Sequence, residues 1–255
     1  CCVGTGRGKA RAAVSAVAGA PLPYWRLSGF YFAYFALLGG VAPFLSLYFE
    51  SLGFSPARIG ELVAIPMLMR CIAPNLWGWL GDATGQRLLI VRVGALLTAL
   101  CFAGIFWRQD YWWLAAIMAL HSFFWHAVLP QFEAITLAHL GSQSARYSQL
   151  RLWGSVGFIL TVVLLGLLLQ RAGMAVYPMA MFGIMLLIAV CSTLVPQPPR
   201  QPASAAVAGD GFVQRLRQPG VPAFFVAVAL MQLSHGPYYT FLSIHLEALG
   251  YSRGL

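Results

Sequence analysis

Charged side chains are scarce in this chain of 255 residues. Asp, Glu, Lys and Arg together make up 9% of it, only 7 residues are acidic, and 60% of the residues are apolar. The mean hydropathy is +0.75. A soluble domain of this composition would have to expose large apolar patches to water. The composition therefore excludes a soluble globular domain and predicts an all-α protein whose surroundings are lipid.

Sequence motifs for catalysis are also missing. The chain contains no Gly-rich phosphate loop, no nucleophile motif with its partner residues and no His/Cys spacing typical of metal sites. Its five cysteines, Cys1, Cys2, Cys71, Cys101 and Cys191, are odd in number and are expected to pack among apolar side chains. The sequence thus predicts no enzyme, no catalytic residue, no metal and no cofactor.

Long apolar runs are abundant instead. A helix needs about twenty apolar residues, each rising about 1.5 Å, to cross the hydrocarbon core of a bilayer. Seven stretches meet this length: Trp25 to Phe49, Ile59 to Leu80, Leu88 to Trp107, Tyr111 to Ala138, Leu150 to Gln170, Met174 to Val195 and Val221 to Ala248. They predict a multi-pass membrane protein with seven spans.

The first and seventh stretches contain nearly the same sequence. Gly39 to Ser55 reads GGVAPFLSLYFESLGFS, and Gly236 to Ser252 reads GPYYTFLSIHLEALGYS. Identical residues fall at Gly39/Gly236, Phe44/Phe241, Leu45/Leu242, Ser46/Ser243, Glu50/Glu247, Leu52/Leu249, Gly53/Gly250 and Ser55/Ser252. This period is far longer than the roughly 20 to 50 residues of solenoid repeats, and it indicates a transporter built from two related halves.

The repeat suggests a domain organisation. Residues 1–20 are expected to be a disordered or incorrectly assigned extension, and residues 21–195 to form a six-helix bundle. Residues 196–218, rich in Pro, Ala and Arg, are expected to be a cytoplasmic linker between the halves. Residues 219–255 would then be the incomplete beginning of a second bundle, the seventh of an expected twelve spans.

Basic residues predict the orientation in the membrane. The net charge of +9 is scattered through loops rather than gathered on one face, which argues against nucleic-acid binding. The side of the N-terminus holds Arg7, Lys9, Arg11, Arg26, Arg87, Arg92, Arg146, Arg200, Arg215 and Arg217, against Arg58, Arg108, Arg171 and Arg253 on the other side. Because cytoplasmic loops are enriched in Lys and Arg, the N-terminus is expected to be cytoplasmic.

The loop after the second stretch carries a signature motif. Gly78 to Arg87 reads GWLGDATGQR and resembles the G-x-x-x-D-x-x-G-[RK]-[RK] loop of the major facilitator superfamily. Gly78, Asp82, Gly85 and Arg87 fit the pattern, while Gln86 departs from it; a generic polar turn is the alternative. The glycines permit a tight turn and close helix approach, and Asp82 can accept a charge-assisted hydrogen bond from Arg87. The resemblance implies a conformational gating role for this loop.

A second resemblance lies in the fourth and fifth stretches. PQFEA from Pro130 and YSQLRLWGSVGF from Tyr147 resemble the lactose permease group, and the second segment is most similar to phenylpropionate-type permeases. In that group a Glu and an Arg eighteen residues apart bind substrate, and Glu133 and Arg151 occupy those positions. The resemblance therefore implies that Glu133 and Arg151 bind substrate.

The spacing independently predicts that Glu133 and Arg151 can meet. The two residues lie symmetrically about Ser142 in a polar turn, so two antiparallel helices would carry them to similar depth. Charged residues at membrane depth are costly and usually face partners or water-filled cavities. A purely structural ion pair between the two helices is the alternative.

Three further residues are candidates for substrate binding. Arg70 lies near the middle of the second stretch with no acidic residue within one turn, so it needs a partner on another helix or a substrate anion. An equally open alternative is that the Arg70 side chain extends towards the membrane–water interface. Trp153 and Phe158 flank Arg151 in the matched motif, although packing is the plainer role for any single aromatic residue.

The resemblance implies a function as well as a fold. It predicts the N-terminal six-helix half of a major facilitator fold, acting in a bacterial-type inner membrane as a proton-coupled symporter that is monomeric when full length. Aromatic acids such as phenylpropionate are the favoured substrates, and the proton gradient would be the energy source. A sugar or nucleoside permease, an efflux antiporter and a non-transporting fragment stay open as alternatives.

Overall fold

The computed structural model describes residues 22–198, 218 and 220–251. The predicted N-terminal extension at 1–20 and linker residues 199–217 lie outside the described residues. Within those ranges the protein is all-helical. Its α-helices are α1 Tyr24–Ser51, α2 Pro56–Thr84, α3 Arg87–Phe102, α4 Tyr111–Leu140, α5 Tyr147–Ala172, α6 Tyr177–Leu194 and α7 Val221–Ala248. Short 3₁₀ segments follow α3 (Ala103–Phe106), α4 (Gly141–Arg146) and α5 (Met174–Val176).

Local sequence explains where several of these helices begin and end. Pro56 stands in the first turn of α2, where its missing N–H leaves no hydrogen bond unmade. The Asp110 carboxylate caps α4 by accepting a hydrogen bond of 3.2 Å from the Trp113 backbone N–H. Gly85 ends α2 in the left-handed region, with φ of 65°, which glycine adopts without steric cost.

Helix α1 is the most buried of the candidate spans. It packs most extensively against α5 and also against α6, while α4 packs against α2 and α3. Two glycines bring α1 and α5 into backbone contact: a Cβ at Gly39 would lie 2.6 Å from the Phe158 carbonyl oxygen, and a Cβ at Gly157 would collide with the Phe32 carbonyl. This close approach is typical of helix packing within membranes.

Most of the predicted spans have the length and composition required to cross a membrane. Five segments of the described residues qualify: Tyr24–Ser51, Pro56–Thr84, Arg87–Phe106, Tyr111–Ala172 and Met174–Leu194. The fourth is 62 residues long and contains both α4 and α5, so these segments account for six of the predicted spans. Helix α7 has 28 residues but is not among them.

The sequence repeat corresponds to a structural repeat. Helices α1 and α7 each have 28 residues and end in the same type of turn. Gly53 and Gly250 adopt φ of 83° and 86°, and their N–H groups donate to Glu50 and Glu247 carbonyls at 2.8 and 2.9 Å. The two copies pack against each other, and Glu50 and Glu247 line an open cleft between them.

Candidate functional site

The structure brings Glu133 of α4 and Arg151 of α5 together. The Arg151 Nη2 atom lies 3.9 Å from Glu133 Oε1, and each side chain is 36% exposed. That distance lies within ion-pair range but exceeds the length of a direct hydrogen bond. The spacing about Ser142 therefore predicts the proximity correctly, although the pair is looser than a charge-assisted hydrogen bond.

Tyr147 also binds the Glu133 carboxylate of this pair. Its hydroxyl donates a hydrogen bond of 3.1 Å to Glu133 Oε1, the same oxygen atom that faces Arg151. Tyr147 precedes Arg151 by four residues, so both side chains lie on one face of α5. The carboxylate is thus hydrogen-bonded to the phenol rather than to the guanidinium.

Two aromatic rings of α1 lie against the Arg151 guanidinium. The Arg151 Cζ atom lies 4.1 Å from the centroid of the Phe35 ring and 5.6 Å from that of Tyr31, both within cation–π range. Gly154 leaves space for Phe35, since a Cβ at this position would lie 2.7 Å from Phe35 Cδ2. Tyr31 is itself held by a 3.3 Å hydrogen bond to Thr136 Oγ1 on α4.

One nitrogen of the guanidinium is buried without a partner. Arg151 Nη1 is shielded from solvent and forms no hydrogen bond with any described residue. An unmatched buried donor is costly, more so when it belongs to a charged group. A donor that is strong, positively charged and unoccupied is suited to an anionic or hydroxyl-bearing ligand.

Arg70 lies on α2 with an exposed side chain. Among the described residues it forms no hydrogen bond or ion pair, so the partner on another helix that the sequence analysis considered, such as Glu133, is not found. The structure thus does not join Arg70 to the Glu133–Arg151 pair.

Trp153 and Phe158 are positioned differently from Arg151. The Trp153 indole N–H donates to the Tyr24 hydroxyl at 3.1 Å, and its ring lies 5.6 Å from that of Trp25. Trp153 therefore contacts the beginning of α1 rather than the Glu133–Arg151 pair. Phe158 lies two turns beyond Arg151 on the same face of α5, where its backbone contacts Gly39.

The signature loop forms its own charged cluster between α2 and α3. Arg87 pairs with Asp82 through Nη2 and donates through Nη1 to Gln131 Oε1 of α4 at 3.0 Å. Gly85 makes the tight turn. A Cβ at Gly78 would meet no described atom within 4 Å, so the close helix approach expected there belongs to Gly81, whose Cβ would lie 2.5 Å from Gln131 Oε1.

Sequence reasoning missed Phe35, Tyr147 and Gln131. Tyr147 and Arg151 are four residues apart, as are Tyr31 and Phe35, so helical spacing alone could have placed each pair on a common face. Gln131 carries no comparable signal, because its partners Arg87 and Trp77 lie on other parts of the chain. In the described residues no group of His, Cys, Asp and Glu side chains could hold a metal ion.

Comparison with known proteins identifies the family. The MFS_1 like family matches residues 24–255, which is nearly the whole chain. The chain belongs to this family. The major facilitator family predicted from the sequence is thereby confirmed, and the chain is a multi-pass membrane protein.

Two curated relatives are transporters rather than enzymes. The chain is 32% identical to a maltose permease of Geobacillus stearothermophilus over 176 residues, which are 67% of this chain and 43% of the relative. It is 29% identical to a probable 3-phenylpropionic acid transporter of Escherichia coli over 228 residues, 87% of this chain and 59% of the relative. The chain thus spans about half the length of these relatives.

A solved structure supports the fold. The nucleoside transporter NupG matches with a TM-score of 0.65 at 18% sequence identity, over 80% of this chain and 50% of the matched chain for the D323A mutant. Since the sequences are so different, this similarity establishes the fold alone. It confirms the all-α major facilitator architecture inferred from the sequence.

Proposed function

We propose that the chain is part of a secondary active transporter that carries a small organic solute by proton-coupled symport, with an aromatic acid of the phenylpropionate type as the favoured substrate. The observation that carries this proposal is the unpartnered, buried Nη1 atom of Arg151 beside a carboxylate that is already hydrogen-bonded to Tyr147. A buried guanidinium nitrogen without an acceptor is energetically costly, and a ligand that supplies the acceptor removes this cost.

The surroundings of Arg151 favour a substrate with one carboxylate and an apolar body. The planar guanidinium can bind a carboxylate through two parallel hydrogen bonds, which a lysine ammonium cannot do. The rings of Phe35 and Tyr31 beside it provide apolar and aromatic surface. The similarity to a probable 3-phenylpropionic acid transporter over 87% of this chain favours the same substrate class.

Glu133 has a complementary role in the proposed site. The 3.9 Å gap between its Oε1 and Arg151 Nη2 leaves room for the guanidinium to exchange this weak attraction for ligand bonds. Tyr147 keeps the carboxylate hydrogen-bonded while this exchange occurs. Glu133 thereby completes the site, and Arg70 supplies additional positive potential towards an anionic ligand.

Alternating access would supply the transport step. In a transporter built from two related halves, the halves rock about a central substrate site. Glycines pack α1 closely against α5, so we expect Arg151, Phe35 and Tyr31 to move together. The loop carrying Gly78, Asp82, Gly85 and Arg87 would act in conformational gating at one end of the bundle.

The proposal includes the location of the protein. The membrane is a bacterial-type inner membrane, the N-terminus and the linker at 196–218 face the cytoplasm, and the complete transporter acts as a monomer. Reporter fusions in the linker test the orientation. A reporter active on the outer side of the membrane would contradict it.

A sugar permease is the second candidate. The maltose permease of Geobacillus stearothermophilus is the relative with the higher identity, at 32% over 67% of this chain. Sugar hydroxyls can accept hydrogen bonds from Arg151 and donate to Glu133. A sugar would therefore use the same pair without requiring a negative charge on the substrate.

The test uses energised cells that express the complete gene product, with the external pH recorded on addition of 3-phenylpropionate or maltose. We expect 3-phenylpropionate to cause alkalinisation of the medium, because each solute molecule enters with a proton. Arg151→Lys should abolish the signal, whereas Gly183→Ala on α6 is a matched control since its Cβ would meet no described atom within 4 Å.

Three results would overturn parts of the proposal. Accumulation of labelled 3-phenylpropionate without alkalinisation would contradict proton symport. Alkalinisation with maltose but not with 3-phenylpropionate would replace the aromatic acid with a sugar. Full uptake by Arg151→Lys would remove Arg151 from the site.

A further inference from the structure

Gln131 is a buried polar residue in a stretch of α4 that also carries Glu133. Its side chain is only 1% exposed, and it directly follows Pro130 within the helix. A buried amide requires partners for both its oxygen and its nitrogen. Those partners lie on other elements of the bundle and connect the signature loop to α4.

Both ends of the Gln131 amide are hydrogen-bonded. Its Oε1 accepts from Arg87 Nη1 at 3.0 Å, and its Nε2 donates to the Trp77 carbonyl of α2 at 3.0 Å. Arg87 uses its other terminal nitrogen for Asp82. One side chain of α4 is therefore joined to α2 and to the beginning of α3, on both sides of the loop that connects them.

Gly81 makes this arrangement sterically possible. A Cβ at Gly81 would lie 2.5 Å from Gln131 Oε1 and 3.0 Å from Cδ. Any larger residue would push the amide away, which would break its bonds to Arg87 and Trp77. The side chain of Gln131 thus occupies space that a glycine of α2 leaves open.

The same stretch of α4 continues into the proposed substrate site. Phe132 stacks on Phe30 with ring centroids 3.7 Å apart and meets the Tyr31 ring edge-on at 5.1 Å. Tyr31 in turn lies against the Arg151 guanidinium. Gln131 and Glu133 are two residues apart, so a shift of one displaces the helix backbone that carries the other.

We propose that Gln131 is a positioning residue that fixes Arg87, and with it the loop between α2 and α3, onto the stretch of α4 that carries Glu133. The proposal rests on the proposed transport function, since its consequence is that loop and substrate pair move as one body during alternating access. Loss of the Arg87–Gln131 bond should slow the conformational step while leaving substrate affinity unchanged.

The test combines two measurements on the complete gene product. A nitroxide at Ala83→Cys, an exposed position in the last turn of α2 beside the loop, reports loop mobility in a background whose native cysteines, including the five of this chain, are replaced by serine. Uptake of labelled 3-phenylpropionate reports Vmax and KM. The variants are Gln131→Met, Gly81→Ala and Gln131→Glu, with Gly183→Ala as the control for adding a methyl group to an open helix face.

We expect Gln131→Met and Gly81→Ala each to raise loop mobility and to lower Vmax about tenfold, because a hydrogen bond to a charged group is lost, while KM changes less than about twofold. Gln131→Glu retains an acceptor for Arg87 but sets an oxygen atom against the Trp77 carbonyl, so its loop mobility and Vmax should fall between those of Gln131→Met and wild type. Gly183→Ala should change neither.

The spin-label readout is independent of the substrate. If wild type takes up no 3-phenylpropionate, the proposed substrate fails, yet the label at position 83 still decides whether Gln131 holds the loop. Unchanged mobility in Gln131→Met would refute the inference. A rise in KM that accompanies the fall in Vmax would assign Gln131 to general support of α4 instead.

Discussion

Two arginine–carboxylate pairs of this bundle differ in how completely their arginines are bonded. Arg87 in the loop between α2 and α3 binds Asp82 with one terminal nitrogen and Gln131 with the other. Arg151 stands 3.9 Å from Glu133 and has a buried Nη1 with no partner among the described residues. An arginine whose two terminal nitrogens are both hydrogen-bonded stabilises one arrangement of the protein. An arginine with an unbonded terminal nitrogen can bind a ligand.

In our proposal, this difference separates a structural contact at Arg87 from a binding site at Arg151. Both pairs carry the same charges, and the two arginines have similar exposure at 35% and 36%. Charge and exposure alone would not distinguish them. The hydrogen bond from Tyr147 to Glu133 makes the distinction, because it supplies the carboxylate with a partner other than arginine.

The largest expected effect comes from Arg151→Lys, with Arg87→Lys as the comparison. Arg151→Lys should lower the uptake efficiency for 3-phenylpropionate about 100-fold, since an ammonium cannot offer two parallel hydrogen bonds to a carboxylate. Arg87→Lys should cost about twofold, because an ammonium with three donors still reaches Asp82 and Gln131. Initial rates of labelled uptake, normalised to protein in the membrane, provide the measurement. Equal losses of uptake in Arg151→Lys and Arg87→Lys would contradict the proposed difference between the two arginines.

A smaller effect is expected from Tyr147→Phe. This change removes the hydroxyl that donates to Glu133 Oε1, so the carboxylate turns to Arg151 and neutralises it. The KM for 3-phenylpropionate should rise about fivefold with Vmax maintained, which corresponds to about 1 kcal/mol for one hydrogen bond. In a Glu133→Gln background, Tyr147→Phe should not raise KM, because a neutral amide cannot neutralise Arg151. A Tyr147→Phe variant with unchanged KM would show that the phenol plays no part in keeping the pair apart.

The smallest expected effect follows from Gly154→Ala. The added methyl group would lie 2.7 Å from Phe35 Cδ2 and would displace the ring beside the Arg151 guanidinium. Loss of a cation–π contact of about 1 kcal/mol should raise KM about threefold to fivefold. Gly183→Ala, on an open face of α6, serves as the matched control. A change of the same size in that control would indicate a general effect on the membrane fold.

Much of the fold follows from the sequence because membrane helices are governed by simple physical requirements. Each apolar stretch becomes a helix because backbone groups in lipid must be satisfied internally. The repeat predicts matching copies, and α1 and α7 indeed have equal lengths and equivalent glycine turns. Helix ends are less accurate: Leu150 to Gln170 is predicted, whereas α5 is Tyr147–Ala172.

The candidate site could be predicted only in part. The spacing of Glu133 and Arg151 about a turn predicts their proximity, because two antiparallel helices have few ways to meet. The placement of Trp153 against Tyr24, and that of Gln131 against Arg87, depends on how α1, α2 and α4 pack in three dimensions. Periodicity within one helix gives no information on which neighbouring helix a given face contacts.

The most direct test of the central claim measures ligand binding to the purified complete gene product by calorimetry. The ligands are 3-phenylpropionate and its uncharged analogue 3-phenylpropanol, and the proteins are wild type and Arg151→Gln. We expect wild type to prefer the acid about 30-fold or more and Arg151→Gln to bind both ligands equally, because the preference arises from the unpartnered guanidinium donor. An undiminished preference for the acid in Arg151→Gln, or equal binding of the two ligands by wild type, would contradict the account.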